Sequence, residues 1–154
     1  MEKAQIASLE QISIKDISYI FEKINDYSDE ESKEDLFDKI RLSLSRYISK
    51  KVSNEDGVIQ VLSLSNKTYQ KLFSKLDTAD NIVRVEGEKA EKIAKVILKK
   101  IKQYNLDIAN VVVLVPIEIR HMFFLILSQF ISNIRVISKE EIANNYTIEI
   151  LDEI

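Results

Sequence analysis

The chain has 154 residues, 22 of them basic and 25 acidic, for a formal net charge of −3. That is room for one ordinary domain or two small ones, with no long-range attraction to nucleic acid or anionic lipid. There is no cysteine, which excludes a disulfide framework, a thiolate nucleophile and a zinc–thiolate site and fits a reducing compartment.

Residues 1–10 read as a lead-in, polar and acidic, unlike a signal peptide. Ser13 can cap a helix, with Asp16 three residues on in a capping-box arrangement. Ile14, Ile17, Ile20, Phe21 and Ile24 then form one stripe at helical spacing. After the acidic stretch DYSDEESKED, a second stripe is expected from Leu36, Phe37, Ile40, Leu44, Tyr47 and Ile48. The first third is thus predicted to be a helical hairpin.

Gly57 ends that pattern, and VIQVLSLS at 58–65 alternates like a half-buried strand. Ser65 or Asn66 can cap a short helix carrying Tyr69, Leu72 and Phe73. A long helix is predicted over about residues 88–103, with Ala90, Ile93, Ala94, Ile97 and Ile101 inward. Glu88 and Glu91 near its start and lysines at its end suit the helix dipole, and Glu88–Lys92 and Glu91–Lys95 are i,i+4 pairs.

VVVLVPIEIR follows: a strand at 110–115 and a helix starting at Pro116 and running to about Ile131. A short strand at 134–138, a helical turn at KEEI and a last strand at 146–151 complete the chain. The fold class expected is α+β, a helical N-terminal subdomain (1–56) followed by a small α/β subdomain (57–154) whose mixed sheet carries packed helices.

Few residues suggest chemistry. His121 is the single histidine, with no spacing that suggests a triad, and reads as a surface or half-buried side chain. Pro116 removes a donor that a phosphate would use, and with glycine only at 57 and 87 there is neither a Walker A loop nor a dinucleotide fingerprint. The lysines of 89–102 read as a solvated face. The acidic cluster from Asp26 to Asp38 lacks the order and central glycine of an EF-hand. No catalytic residue, cofactor or metal site is expected. The helix 117–131 is apolar on more than one side, so its cover is expected from its own sheet and the 88–103 helix, or from another subunit. Its greasiest run, MFFLILSQFI at 122–131, is half the roughly 20 apolar residues of a membrane span.

Four stretches, in order, resemble the cytoplasmic region of the type III secretion export-gate (FHIPEP) family. QISIKDISYIFEKI is similar to its R-V-S-I-R-D-L signature, and LFDKIRLSLSRYI to its L-V-E-x-V-R-x-x-L-x-R motif. VVLVPIEIRHMF resembles V-L-L-x-S-P-x-I-R, and IRVISKEEI with YTIEILDEI resembles V-L-S-x-x-E-I and a closing strand. SLSRYI and EEIANNYTIEI favour the injectisome branch over the flagellar one.

The resemblance implies a non-enzymatic piece of a larger inner-membrane protein, at the cytoplasmic face of the bacterial inner membrane. Its membrane link would run through an N-terminal domain outside this chain. The family's cytoplasmic domain has four subdomains and forms a nine-membered ring that receives export substrates, chaperones, gatekeepers and other export-apparatus proteins. This chain would supply most of the third, ring-forming subdomain and all of the fourth. The motifs carry over onto Ser13, Lys15, Asp16, Arg41, Arg46, Arg120, Ser138 and Glu141. Of these, Lys15, Asp16, Arg41, Arg46, Arg120 and Glu141 are the expected protein-interface residues, with partnering of nearby carboxylates as the structural role open to the arginines. Lys15 stands where the family usually has arginine, so a bidentate contact becomes a point-charge contact, and MFFLIL replaces a helix that usually carries basic residues. The rival readings are a free-standing soluble adaptor and a small α/β ligand-binding domain or enzyme.

Overall fold

The structure, a computed structural model, describes residues 39–73 and 87–154. Residues 39–43 are helical and lead into α1 (Ser45–Val52). There follow β1 (Val58–Ser63), α2 (Asn66–Phe73), α3 (Gly87–Gln103), a 3-10 turn (Ile108–Asn110) and β2 (Val112–Leu114). The rest of the chain is α4 (Ile117–Ser128), β3 (Arg135–Ile137), a second 3-10 turn (Lys139–Glu141) and β4 (Thr147–Glu153). The first helical hairpin stripe, Ser13 with Asp16, and the acidic cluster 26–38 lie outside the described residues.

The four strands form one sheet in the order β3-β2-β1-β4, and every pairing is parallel. This corrects the expected mixed sheet. Instead of turning back beside β3 as a hairpin, residues 138–146 cross to the far edge, and β4 pairs with β1. Ile142 and Tyr146 of this crossing pack under the sheet beside α1.

Central parallel strands are covered on both faces, and β2 shows it residue by residue. Val111, Val113 and Val115 point into a core shared with Ala94, Ile97 and Ile101 of α3 and Ile119, Phe123, Phe124 and Leu127 of α4. Val112 points the other way, to Ile40, Leu44 and Ile48. The period of two thus divides five consecutive apolar residues between two helical layers. Residues 40–52, in the part expected as the helical subdomain, are one of those layers and lie directly on the sheet.

Local signals explain the boundaries. Ser65 rather than Asn66 caps α2: its Oγ accepts from the Thr68 amide at 3.2 Å. The α3 helix ends in a Schellman arrangement, with Asn105 at φ +52° and the Leu106 amide donating to the Ile101 carbonyl at 2.9 Å. Gly57, at φ +73°, closes a turn whose Asn54 Oδ1 accepts from the Asp56 and Val58 amides, both at 3.0 Å.

Three expectations change. Pro116 is the N-cap of α4, one residue before the helix, and the helix stops at Ser128. Its cover is the sheet and α3, and Leu125 remains 45% exposed. Tyr47 is exposed while Ile48 is buried, because Tyr47 stands one 100° step from Ile48, on the side of α1 away from the sheet.

In β4, Val61 pairs with Ile150 but Leu62 pairs with Asp152. Leu151 is therefore the extra residue of a β-bulge. Before it, Ile148 faces the α1 side. After it, Asp152 sits beside Leu62, and Ile154 joins the α3–α4 core.

Candidate functional site

The charged residues of three separate motifs meet in one place. Arg41 precedes α1, Arg120 sits in the first turn of α4, and Glu141 ends the second 3-10 turn. They are 4%, 1% and 1% exposed. The Arg41 Nε donates to Glu141 Oε2 although 100 residues separate them. Arg120 Nε lies 3.6 Å from Oε1, within ion-pair range. Oε1 also accepts from the Ser138 amide at 2.8 Å and the Ser138 hydroxyl at 3.1 Å.

Ser138 and Glu141 thereby make the carboxylate half of a capping box. Their S-x-x-E spacing is legible in the sequence, yet it points only to a helix start. A buried carboxylate is tolerated when its oxygens receive charge-assisted and backbone hydrogen bonds, and Glu141 has both kinds.

The cluster sits at the C-terminal edge of β2 and β3, where Pro116 and Ser138 leave the sheet. In open α/β folds that edge is the usual ligand crevice. Here the protein's own side chains fill it. The strand–proline–helix sequence brings Arg120 to a carboxylate within the chain.

A second tie lies about two helical turns beyond Arg41. Ser49, fully buried, donates from Oγ to the Ser45 carbonyl at 2.6 Å and accepts from the Ala143 amide at 2.9 Å. These two ties from the 40–52 layer therefore end in residues 141–143.

Arg46 is exposed on α1. Lys15 and Asp16 lie outside the described residues. Of the six expected interface residues, the structure brings together Arg41, Arg120 and Glu141, and it buries all three inside the chain. His121 is half-buried on α4.

On the other side of the molecule is a group that no sequence motif indicates. The bulge turns Asp152 toward α3, where its Oδ2 receives Lys100 Nζ at 2.5 Å and the Tyr104 hydroxyl at 3.0 Å. The Lys100 hydrogen bond, with help from the Glu153 amide and Tyr104, holds the Asp152 carboxyl below the usual carboxylate range. The same contacts raise Lys100 and Tyr104 above their ordinary values. Lysines 92, 95, 99 and 102 are exposed, and Lys89 is half-buried.

A cavity of about 200 Å³ opens near the start of β2, lined by Gln60, Leu62, Leu106, Asn110, Val111 and Leu151 among others. Among the described residues, no group of His, Cys, Asp or Glu could hold a metal ion, and no helix is long and apolar enough to cross a membrane.

The profile of the FHIPEP family matches residues 6–147. The chain belongs to that family. Solved structures agree: this FHIPEP chain is similar to the Shigella flexneri MxiA protein, at 28% identity and a TM-score of 0.81 over 99% of this chain and 48% of that chain. It is similar to the Chlamydia pneumoniae CdsV protein, at 26% identity and a TM-score of 0.75 over 99% and 45%. CdsV has also been solved in a complex with CdsO, where the figures are 24%, 0.73, 99% and 46%. Nonameric SctV-C of EPEC shares the fold, with 22% identity and a TM-score of 0.78 over 99% and 47%. The chain thus spans just under half the length of the chains it matches. No curated protein matches it.

Proposed function

We propose that this chain is the C-terminal portion of the cytoplasmic domain of a type III secretion export gate of the injectisome branch. In that role it is part of a ring-forming platform for export substrates, their chaperones, gatekeepers and other export-apparatus proteins, anchored to the inner membrane through sequence outside this chain. The observation that carries the reading is the family match over residues 6–147, with MxiA and CdsV above 25% identity across nearly the whole chain. Ring assembly is supported by the nonameric state of the SctV-C relative. Docking of an export-apparatus partner is supported by the CdsV–CdsO complex. The function is recognition and assembly rather than catalysis.

Within this reading, residues 1–56 are the ring-forming helical part and 57–154 the α/β part. Lys15, Asp16 and the exposed Arg46 make direct subunit contacts. Arg41, Arg120 and Glu141, buried within the chain, act on the interface through the elements they hold.

Sedimentation velocity over a wide concentration range, at low and moderate salt, tests this. Reversible growth toward large rings, weakened by Lys15→Glu or Asp16→Lys, is the expected result. A monomer at every concentration would sink the claim that residues 14–50 suffice for assembly. Thermal-shift measurements with ATP, GTP and NAD should be flat, whereas saturable stabilisation would favour a ligand-binding domain instead.

A further inference from the structure

Glu141 touches three parts of the fold at once. Arg41 reaches it from the layer on one face of the sheet, Arg120 from α4 on the opposite face, and Ser138 from the end of β3. No other ion pair given by the structure's described residues spans both layers.

The layers themselves are unequal. Among the described residues, sixteen buried apolar residues form the α3–α4 side and seven the α1 side, of which Ile40, Leu44 and Ile48 come from the 40–52 segment. Local opening follows such differences, because a segment with fewer buried contacts detaches at a lower free energy than the whole molecule. Among the described contacts, the Arg41–Glu141 and Ser49–Ala143 ties of the 40–52 layer both end in residues 141–143, and a layer with fewer buried contacts depends more heavily on such ties.

We propose that Glu141 is a positioning residue that couples the two helical layers across the sheet edge. When its charge is lost, residues 40–52 open from the sheet as a unit and the first turn of α4 loosens with them. A perturbation of α4 is transmitted to the 40–52 layer by the same carboxylate, since coupling between two sites is reciprocal.

Hydrogen exchange on the whole chain, read by mass spectrometry, tests this. In Glu141→Gln, peptides covering 44–52 and 117–124 should exchange on the order of tenfold or more faster. Peptides covering 94–101 and 111–115 should change by less than about twofold. Asp152→Asn, which breaks the Lys100–Asp152 ion pair, should leave 44–52 unchanged. The same acceleration everywhere would reduce Glu141 to general stability, and 44–52 unchanged, or loosened without 117–124, would overturn the coupling. Should Glu141→Gln fail to fold, Arg41→Met, Arg120→Met and the double variant replace it. Non-additive effects on exchange at 44–52, by about threefold or more, support the coupling, and additive effects refute it.

Discussion

Glu141 and Asp152 are each a carboxylate held by a basic side chain and a hydroxyl. Glu141 is 1% exposed and its partners come from two layers and a strand end. Asp152 is 27% exposed, with both side-chain donors from α3 and the turn after it. Solvent already stabilises the partly exposed Asp152 charge. Burial decides which of the two is indispensable, because a buried charge that loses its partner has no water to replace it.

The comparison can be broken from either side. Glu141→Ala leaves two guanidiniums buried without their carboxylate and should cost about 3–5 kcal/mol, read as a lower denaturant midpoint. If the loss reflects stranded charge rather than shape, Arg41→Met, Arg120→Met and Glu141→Leu together should recover most of it. Ser49→Ala removes the acceptor of the Ala143 amide and should cost about 1–2 kcal/mol, between the two extremes. Gly57→Ala should cost about 1 kcal/mol through the positive φ alone, since the added carbon would meet only Tyr146 Cδ1 at an ordinary 3.9 Å.

Asp152→Asn should have the smallest effect at neutral pH and its clearest effect at the extremes. The lowered Asp152 gives stability that is present above the usual carboxylate range and lost as pH falls through its depressed folded value. The raised Lys100 and Tyr104 give stability that is present below their ordinary values and lost as pH rises through the elevated ones. Thermal unfolding of wild type and Asp152→Asn across pH should therefore converge at both ends. A constant gap would show that the cluster acts through packing instead.

Much of this fold is legible in the sequence. The stripe at Ala90, Ala94, Ile97 and Ile101 is the buried face of α3, and the valines before Pro116 form a strand covered on both faces. Strand order is not legible, because β-propensity and period say nothing about which edge β4 joins. The meeting of Arg41 with Glu141 is hidden for the same reason: motif residues 100 positions apart share no local signal. Three motifs can each be quoted, but only the sheet brings their charges to one edge. Tyr47 fits the apolar stripe by spacing yet stands one helical step outside it, beside the buried Ile48. Asp152 was invisible because its direction depends on one unpaired residue.

That residue, Leu151, acts on the strand as a frameshift acts on a message. It leaves the chain's hydrogen-bonding partner unchanged and exchanges the meaning of everything downstream, so that Asp152 and Ile154 address α3 and the large core. Deleting Leu151 would remove the bulge yet keep Asp152 opposite Leu62 and Ile154 on the large core, whereas deleting Glu153, beyond the bulge, would send Ile154 toward the opposite face. Deletion of Glu153 should therefore be far more damaging than deletion of Leu151, and length is under tighter constraint after the bulge than at it.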